Sequence, residues 1–255
     1  MRENNKEKDK VIYIADLDDD IDDMVAIEYL HDLGVLSQVV LDPLPKKPCG
    51  IQREKMIEKM GISISTFLPQ HSEYVFNGGA MTIIANSIKN GCTIGTLIMN
   101  GGFVGCDLVS EFDQLPRFRN KETVRTYNFN CDVESTDFVL KTNNDQIGEI
   151  VLVGKNVCHS DKNTSKNFWS DKRYEKYFKK YNIRDDKKMH DLLVCREGLA
   201  LASLGGITIP WCTYGVVKPY NKGLDGNMTQ WGSLTRGKYG KSPYREVIAA
   251  VKLAR

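Results

Sequence analysis

Short apolar segments alternate with longer amphipathic segments along most of the chain. The apolar segments have the length and the Val and Ile content of buried strands: VIYIAD (11–16), SQVVLD (37–42), SEYVFN (72–77), IGTLIMN (94–100) and GEIVLVG (148–154). The amphipathic segments are typical of helices: DDMVAIEYLHDLG (22–34), IQREKMIEKMG (51–61), AMTIIANSIKNG (80–91), VESTDFVLKTN (133–143), SDKRYEKYFKKY (170–181) and MHDLLVCREGLALASLG (189–205). This alternation predicts an α/β fold with a mostly parallel central sheet flanked by helices on both faces.

The composition is that of one globular domain. Of 255 residues, 41% are hydrophobic and 27% are charged, which is ordinary for a chain long enough to bury a sizeable core. We expect residues 11–255 to form a single domain and the charged residues 1–10 to be a disordered tail. The Gly-, Tyr- and Asn-rich region 213–240 is predicted as loops with short strands.

Charge and cysteine usage exclude several classes of partner. The chain has 35 Lys and Arg against 33 Asp and Glu, a net charge of +2, and its basic residues are scattered, so no nucleic-acid partner is expected. The seven cysteines form no C-x-x-C pair, which argues against a disulfide framework or a zinc site and favours the reducing cytoplasm. No apolar run approaches the roughly 20 residues that cross a bilayer, so no membrane partner is expected.

Six aspartates crowd into the segment DLDDDIDD, residues 16–23, directly after the first predicted strand. Two like charges about 4 Å apart repel by roughly 4 kcal/mol at an effective dielectric of 20, so such a cluster favours a bound cation. Asp16 and Asp18 end a strand at the sheet edge where ligands bind, and Asp22 and Asp23 begin a helix. We therefore predict a cation site here rather than a solvated acidic loop.

Two known acidic motifs fit this segment incompletely. In an EF-hand loop counted from Asp16, Ile21 would take the position of the turn Gly and Ile27 that of the bidentate Glu, which excludes this motif. A haloacid-dehalogenase-like phosphatase is an alternative, because its first strand ends in D-x-D, as at residues 16–18, and Lys155 could supply its lysine. The later acidic pair of that family has no convincing counterpart in the chain.

The acidic segment resembles the DTDPGIDD signature of the nucleoside hydrolases, the inosine-uridine-preferring N-ribohydrolase family. Other fragments resemble the family's motifs in the family's order: GGAMT (78–82) the G-P-L-T turn, IMNGG (98–102) the M-G-G strand end, NKETVRTYNFNCDVES (120–135) the N-x-x-x-x-x-E-F-N-x-x-x-D-P-E-A run, VGKNVCH (153–159) L-D-V-T-H, MHDLL (189–193) a late His-Asp pair, and GSLTRG (232–237) G-x-L-T-R-G. The chain is thus similar to a divergent member of this family over residues 11 to 240.

The resemblance implies a nucleoside-hydrolase-like α/β fold and a hydrolase that uses a tightly held Ca²⁺. The implied reaction cleaves the N-glycosidic bond of a ribonucleoside or related riboside and gives free base and ribose, as in purine or pyrimidine salvage. Because the sugar becomes oxocarbenium-like, the site must activate water, hold the ribose hydroxyls and help the base to leave. The resemblance also implies a homodimer or homotetramer.

Motif positions imply a role for each site residue. Asp18, Asp23 and Asp191 would supply metal carboxylates, and the main-chain carbonyl of Thr82 would supply a further oxygen, a donor set suited to calcium. Asp18 would also act as the general base on water. Asp22 would hold a ribose hydroxyl, and Asp191 would also contact the substrate.

Three further residues match substrate-binding or catalytic positions. Asn120 and Asn128 match asparagines that hold the sugar hydroxyls, although both could be ordinary polar loop residues. His190 matches a residue that donates a proton to the leaving base, a role suited to a side chain that titrates near neutral pH. Alternatively, His190 could be a helix cap or a surface residue without a catalytic role.

Departures from the family pattern concentrate around the base and the 5′ end of the sugar. Asp19-Asp20 replaces the Pro-Gly of the signature, and Thr126 stands where the family has a Glu that contacts the far end of the sugar. Asn100 replaces a Met that faces the substrate, and Asp42 replaces an Asn at the end of the second strand. The pattern indicates an unusual base or 5′ substituent, or else a catalytically impaired, calcium-dependent ribose- or nucleotide-binding protein.

Overall fold

The computed structural model describes residues 11–17, 20–41, 47–160, 171–184, 187–203, 212–221, 229–234 and 242–252. The predicted tail, residues 1–10, lies outside the described residues. Two predicted site residues, Asp18 and Asp42, also lie outside them.

The described strands join into one sheet of mixed direction. They are β1 (Val11–Ala15), β2 (Leu36–Leu41), β3 (Ser63–Ser65), β4 (His71–Asn77), β5 (Thr93–Met99), β6 (Thr123–Val124), β7 (Ile147–Leu152), β8 (Cys212–Asn221), β9 (Gln230–Leu234) and β10 (Val247–Ala250). Their spatial order is β3-β2-β1-β4-β5-β7-β10-β8-β9-β6. The strands from β3 to β10 in this order are parallel, and β8, β9 and β6 continue the sheet in antiparallel pairing. The predicted α/β class with a mostly parallel central sheet is confirmed.

Six of the eight described helices overlap the predicted amphipathic segments, and two short ones, Tyr127–Cys131 and Lys155–Cys158, were not predicted. The helices are α1 (Asp22–Asp32), α2 (Pro48–Lys59), α3 (Thr82–Lys89), α4 (Tyr127–Cys131), α5 (Val133–Val139), α6 (Lys155–Cys158), α7 (Lys172–Lys180) and α8 (His190–Ser203). Asp132 and Asp171 cap α5 and α7, because each carboxylate accepts a hydrogen bond from a main-chain N–H of the first turn. Within the described ranges, no helix has both the length and the apolar character needed to cross a bilayer.

Alternate residues of the central strands pack on opposite faces of the sheet. On one face, Tyr13 and Ala15 of β1 pack in a core with residues of α1, α7 and α8. On the other face, Ile12 and Ile14 of β1 pack in a core with residues of α3 and α5. This two-residue period is the expected one for a strand buried on both sides, and the helices do cover both faces as predicted.

The chain changes direction across the sheet at β1. β1 pairs with β2 on one side and with β4 on the other. The chain therefore adds β2 and β3 on one side of β1 and then returns to add β4 and β5 on the other side. In open parallel sheets, the carboxyl ends of two such strands flank a crevice that binds ligands. Here Asp22 and Asp23 come after β1, the turn Gly78–Met81 follows β4, and Gly78 lies close to Asp23 at this crevice.

The region predicted as loops with short strands contains longer strands. β8 extends over ten residues and pairs with both β9 and β10. Neither β3 nor β10 was predicted from the sequence. β3 is an edge strand, whereas β10 joins the parallel part of the sheet to the antiparallel strands β8 and β9. In such strands the pairing partner rather than an alternating local pattern decides whether a strand forms.

Candidate functional site

Three carboxylates lie together at the crevice beside β1 and β4. They belong to Asp22, Asp23 and Asp191, and one oxygen of each lies within 4.8 Å of the other two. Each residue is only 4% exposed. The first turns of α1 and α8 supply them, and the main-chain N–H of Asp191 donates to Oδ2 of Asp22 at 3.4 Å. We call these three residues the acidic trio; the resemblance predicts a metal or substrate role for each of them.

Neutral hydrogen-bond donors surround the acidic trio. The Tyr13 hydroxyl donates to Oδ1 of Asp23 at 3.0 Å, and Nδ2 of Asn100 donates to Oδ1 of Asp191 at 2.7 Å. In the part of the chain that the structure describes, no lysine or arginine forms an ion pair with any of the trio. The three carboxyl groups therefore lie close together without a basic side chain paired to any of them.

Burial and mutual repulsion raise the pKa of every carboxyl in the trio. The pKa of Asp22 is raised by burial and then by Asp20. The pKa values of Asp23 and Asp191 lie well above the usual range because of burial, with repulsion from Asp22 next. A divalent cation reverses this effect, since it favours the ionised carboxylates. Oxygen donors at this spacing fit a hard cation such as Ca²⁺.

Gly78 lies against the acidic trio, at the carboxyl end of β4. A Cβ atom at this position would lie 2.5 Å from the Tyr13 hydroxyl, 2.8 Å from Oδ1 of Asp23 and 3.1 Å from Oδ1 of Asp191. The first two distances are shorter than van der Waals contact allows. Only glycine lets the main chain approach the carboxylates this closely.

Two asparagines hold the turn that contains Gly78. Nδ2 of Asn77, which is fully buried, donates to the carbonyl of Gly79 at 2.9 Å, and Oδ1 of Asn77 accepts from the Gly79 N–H at 3.3 Å. Nδ2 of Asn128 donates to the carbonyls of Gly78 at 2.6 Å and Asn100 at 2.9 Å. Sequence reasoning missed Asn77, although an Asn before two glycines is a typical turn signal.

Arg53 of α2 fixes the segment that carries the aspartates. Its guanidinium donates to the carbonyls of Leu17 at 2.6 Å and Asp20 at 2.7 Å. Both carbonyls belong to the stretch between the end of β1 and the start of α1. Sequence reasoning missed this residue, because an arginine in an amphipathic helix has no feature that distinguishes it from a solvated one.

Replacing Arg53 with methionine should loosen this segment without removing a candidate ligand. We expect calcium affinity, measured by titration calorimetry, to fall about tenfold, as is typical when a residue that orients metal ligands is lost. Lys55→Met, at an exposed position of the same helix, is the matched control and should bind calcium as the wild type does. An unchanged affinity in the Arg53 variant would show that the segment holds its geometry without this contact.

The other predicted site residues differ in their placement. Thr82 begins α3, and its hydroxyl donates to Oδ2 of Asp132 at 2.7 Å. Asn100 and Asn128 lie beside the acidic trio and the turn at Gly78. Asn120 is exposed, with a left-handed φ of 59°, and is not brought to the cavity described next.

A cavity of about 220 Å³ adjoins the acidic trio. The described residues that line it are Asn100, Gly101, Thr126, Tyr127, Asn128, Gly154, Lys155, Cys158, His159 and His190. Asn100 connects the cavity to the trio through its bond to Asp191. The volume lies below the roughly 300–1,000 Å³ of sites for drug-sized ligands, so this is a small cavity.

His190 lines this cavity directly before Asp191. Burial, followed by the charges of Lys155 and Lys188, lowers the pKa of His190 to about 4. Its buried Nε2 has no hydrogen-bond partner among the described residues. At neutral pH the ring is therefore uncharged, which differs from the near-neutral titration expected of a proton donor. In this form the ring can donate an N–H hydrogen bond to a ligand in the cavity.

The site thus combines three clustered carboxylates, an adjoining cavity and an uncharged histidine. Neither the comparison with protein-family models nor that with curated protein sequences gave a match to this chain. The assignment of function therefore rests on the sequence motifs and on the geometry of the site.

Proposed function

We propose that this chain is a calcium-dependent N-ribohydrolase of the nucleoside-hydrolase type, which cleaves the N-glycosidic bond of a ribonucleoside or related riboside. The proximity of Asp22, Asp23 and Asp191 carries the proposal. Motif positions assign these residues to metal and ribose from two segments far apart in the sequence. Their proximity in a buried crevice supports those assignments, because a shared metal site requires it.

The acidic trio would hold the cation, together with Asp18 and the main-chain oxygen of Thr82. When bound, a divalent cation supplies Lewis-acid chemistry that lowers the pKa of water at the site. Asp18 would take the proton from that water, and Asp22 would orient a ribose hydroxyl. The carboxylates also favour the positive charge that develops on the sugar as the base departs.

The cavity residues would orient the sugar and assist the leaving base. The Nδ2 group of Asn128 is used by two main-chain carbonyls, so its Oδ1 can accept a hydrogen bond from a ribose hydroxyl. The uncharged ring of His190 would donate an N–H to the departing base. Tyr127, which is 67% exposed at the cavity, offers an aromatic face to that base.

The phosphatase alternative has weaker support from the same residues. Its nucleophile would be Asp16, which is exposed rather than enclosed in the cavity. Its lysine would be Lys155, whose Nζ lies 2.7 Å from Nε2 of His159. A phosphatase of this type would instead use its lysine to pair with the nucleophilic aspartate.

Release of free ribose from inosine and uridine, followed by a reducing-sugar assay, tests the proposal. We expect release with calcium and none after chelation by EDTA or in the Asp18→Ala variant, because both changes remove the means of activating water. Asp19→Ala is the matched control, since this neighbouring aspartate has no assigned role. Calcium binding without any turnover would contradict the proposal and favour the impaired binding protein.

A further inference from the structure

Basic side chains surround His159, which lines the cavity together with Lys155. Nζ of Lys155 lies 2.7 Å from Nε2 of the ring, and a guanidinium nitrogen of Arg117 lies 3.4 Å from Nδ1. Nζ of Lys188 donates to the carbonyl of the next residue, Ser160, at 2.8 Å. We call Arg117, Lys155, His159 and Lys188 the basic wall.

His159 cannot satisfy the two cations that approach its ring. A neutral imidazole has one acceptor nitrogen, and its other nitrogen carries a proton. Arg117 can only donate, and the ammonium group of Lys155 can only donate as well. One of the two contacts is therefore unfavourable as long as both side chains are charged.

The basic wall also lacks carboxylate partners in the described part of the chain. Many lysines of this protein pair with acids: Lys176 with Asp32, Lys180 with Glu28, and Lys187 with Asp20. In contrast, the described residues include no acid paired with Arg117, Lys155 or Lys188.

Desolvation adds to the mutual repulsion of these groups. Burial, opposed by Cys158 but reinforced by Arg117, lowers the pKa of Lys155. Burial followed by the charge of Lys155 lowers the pKa of His159 to about 3. An anion in the cavity would relieve both effects, because it favours the charged forms of its neighbours. The cavity is thus lined by Lys155 and His159 of the basic wall, and it adjoins the acidic trio through Asn100.

We propose that the basic wall binds the phosphate of a phosphorylated riboside, a ribonucleoside monophosphate being the simplest example. The inference rests on the proposed function, in which the acidic trio and its cation hold the ribose. A phosphate group would accept a charge-assisted bond from Lys155, which lines the cavity, and bonds of this kind are strong. The charge of Arg117, on the other ring nitrogen of His159, would also favour the anion. Thr126 lines the same cavity, and its buried hydroxyl, which has no partner among the described residues, is a further donor.

Titration calorimetry with ribose and ribose 5-phosphate, in the presence of calcium, tests this inference. We expect the wild type to bind ribose 5-phosphate at least about tenfold more tightly than ribose, since charge-assisted hydrogen bonds are worth that much. Lys155→Met should abolish the preference and Arg117→Met should reduce it. Lys59→Met, at an exposed position of α2, is the matched control and should keep it. Equal wild-type affinity for the two sugars would overturn the inference.

Hydrolysis assays separate failure of this inference from failure of the proposed function. Ribose release from inosine without preferential binding of ribose 5-phosphate would overturn the inference and leave the N-ribohydrolase function intact. Preferential binding that depends on Lys155, with no hydrolysis of either inosine or its monophosphate, would overturn the N-ribohydrolase function and support the phosphate site. Melting temperatures of the Lys155 and Arg117 variants check that each remains folded.

Discussion

Replacing Asp191 with asparagine is expected to abolish calcium binding and to lower riboside hydrolysis by at least about a thousandfold, since one carboxylate charge near an ion is worth roughly 4 kcal/mol at an effective dielectric of 20. The substitution preserves the shape of the side chain, and its amide oxygen can still accept the bond from Asn100. It removes one charge from a buried group of three. The fold should therefore survive while the cation site is lost.

Thermal melting with and without calcium measures this effect independently of turnover. For the wild type, calcium at 100 times its Kd should add about 2.7 kcal/mol of stability, which corresponds to a rise of about 5–10 °C in Tm for a chain of this size. The Asp191→Asn variant should show no rise, and its Tm without calcium should not fall below that of the wild type. Asp145→Asn, at an exposed position, is the matched control and should respond normally. A full calcium response in the Asp191 variant would exclude this aspartate from the metal site.

Gly78→Ala should damage the same site without changing any charge. The added methyl group would meet the Tyr13 hydroxyl at 2.5 Å and Oδ1 of Asp23 at 2.8 Å. Both atoms are buried, so they must shift, and overpacking of this kind costs about 1–3 kcal/mol. Because the displaced atom of Asp23 is a candidate ligand, we expect calcium affinity to fall about a hundredfold as well.

The adjacent glycine provides a close control for this substitution. A Cβ atom at Gly79 would lie 3.6 Å from Cβ of Asp16, which is ordinary van der Waals contact. Gly79→Ala should therefore keep both the melting temperature and the calcium affinity of the wild type. If the two alanine variants bind calcium equally well, close approach of the main chain at Gly78 is not needed for the site.

The central elements of the fold could be predicted because their signals are local. β1 is a short continuous run of apolar residues, and α1 is a longer, mostly apolar segment that begins with two aspartates. The pairing of β8 with β9 and β10 is not local, and the polar and Gly-rich sequence around these strands conceals it. Sequence therefore predicted the centre of the sheet better than its antiparallel extension.

The residues of the site also fall into those that the sequence identifies and those that it does not. Asp22 and Asp23 are visible as part of an acidic run, and the resemblance pointed to Asp191. Arg53 and Asn77 act on main-chain carbonyls, which every residue has, so no sequence pattern identifies their targets. The basic wall was equally hidden, because Arg117 and Lys155 belong to different segments that meet only in the folded chain.

The joining of α1 to α8 at the acidic trio has a kinetic consequence. Asp22 and Asp191 are separated by 169 positions, so an ion held between them closes most of the chain into one loop. Closing so long a loop in an unfolded chain costs conformational entropy. A nearly folded chain has already lost that entropy through its other contacts. The cross-link must therefore form late, and a bound ion would stabilise the protein by slowing its unfolding rather than by accelerating its folding.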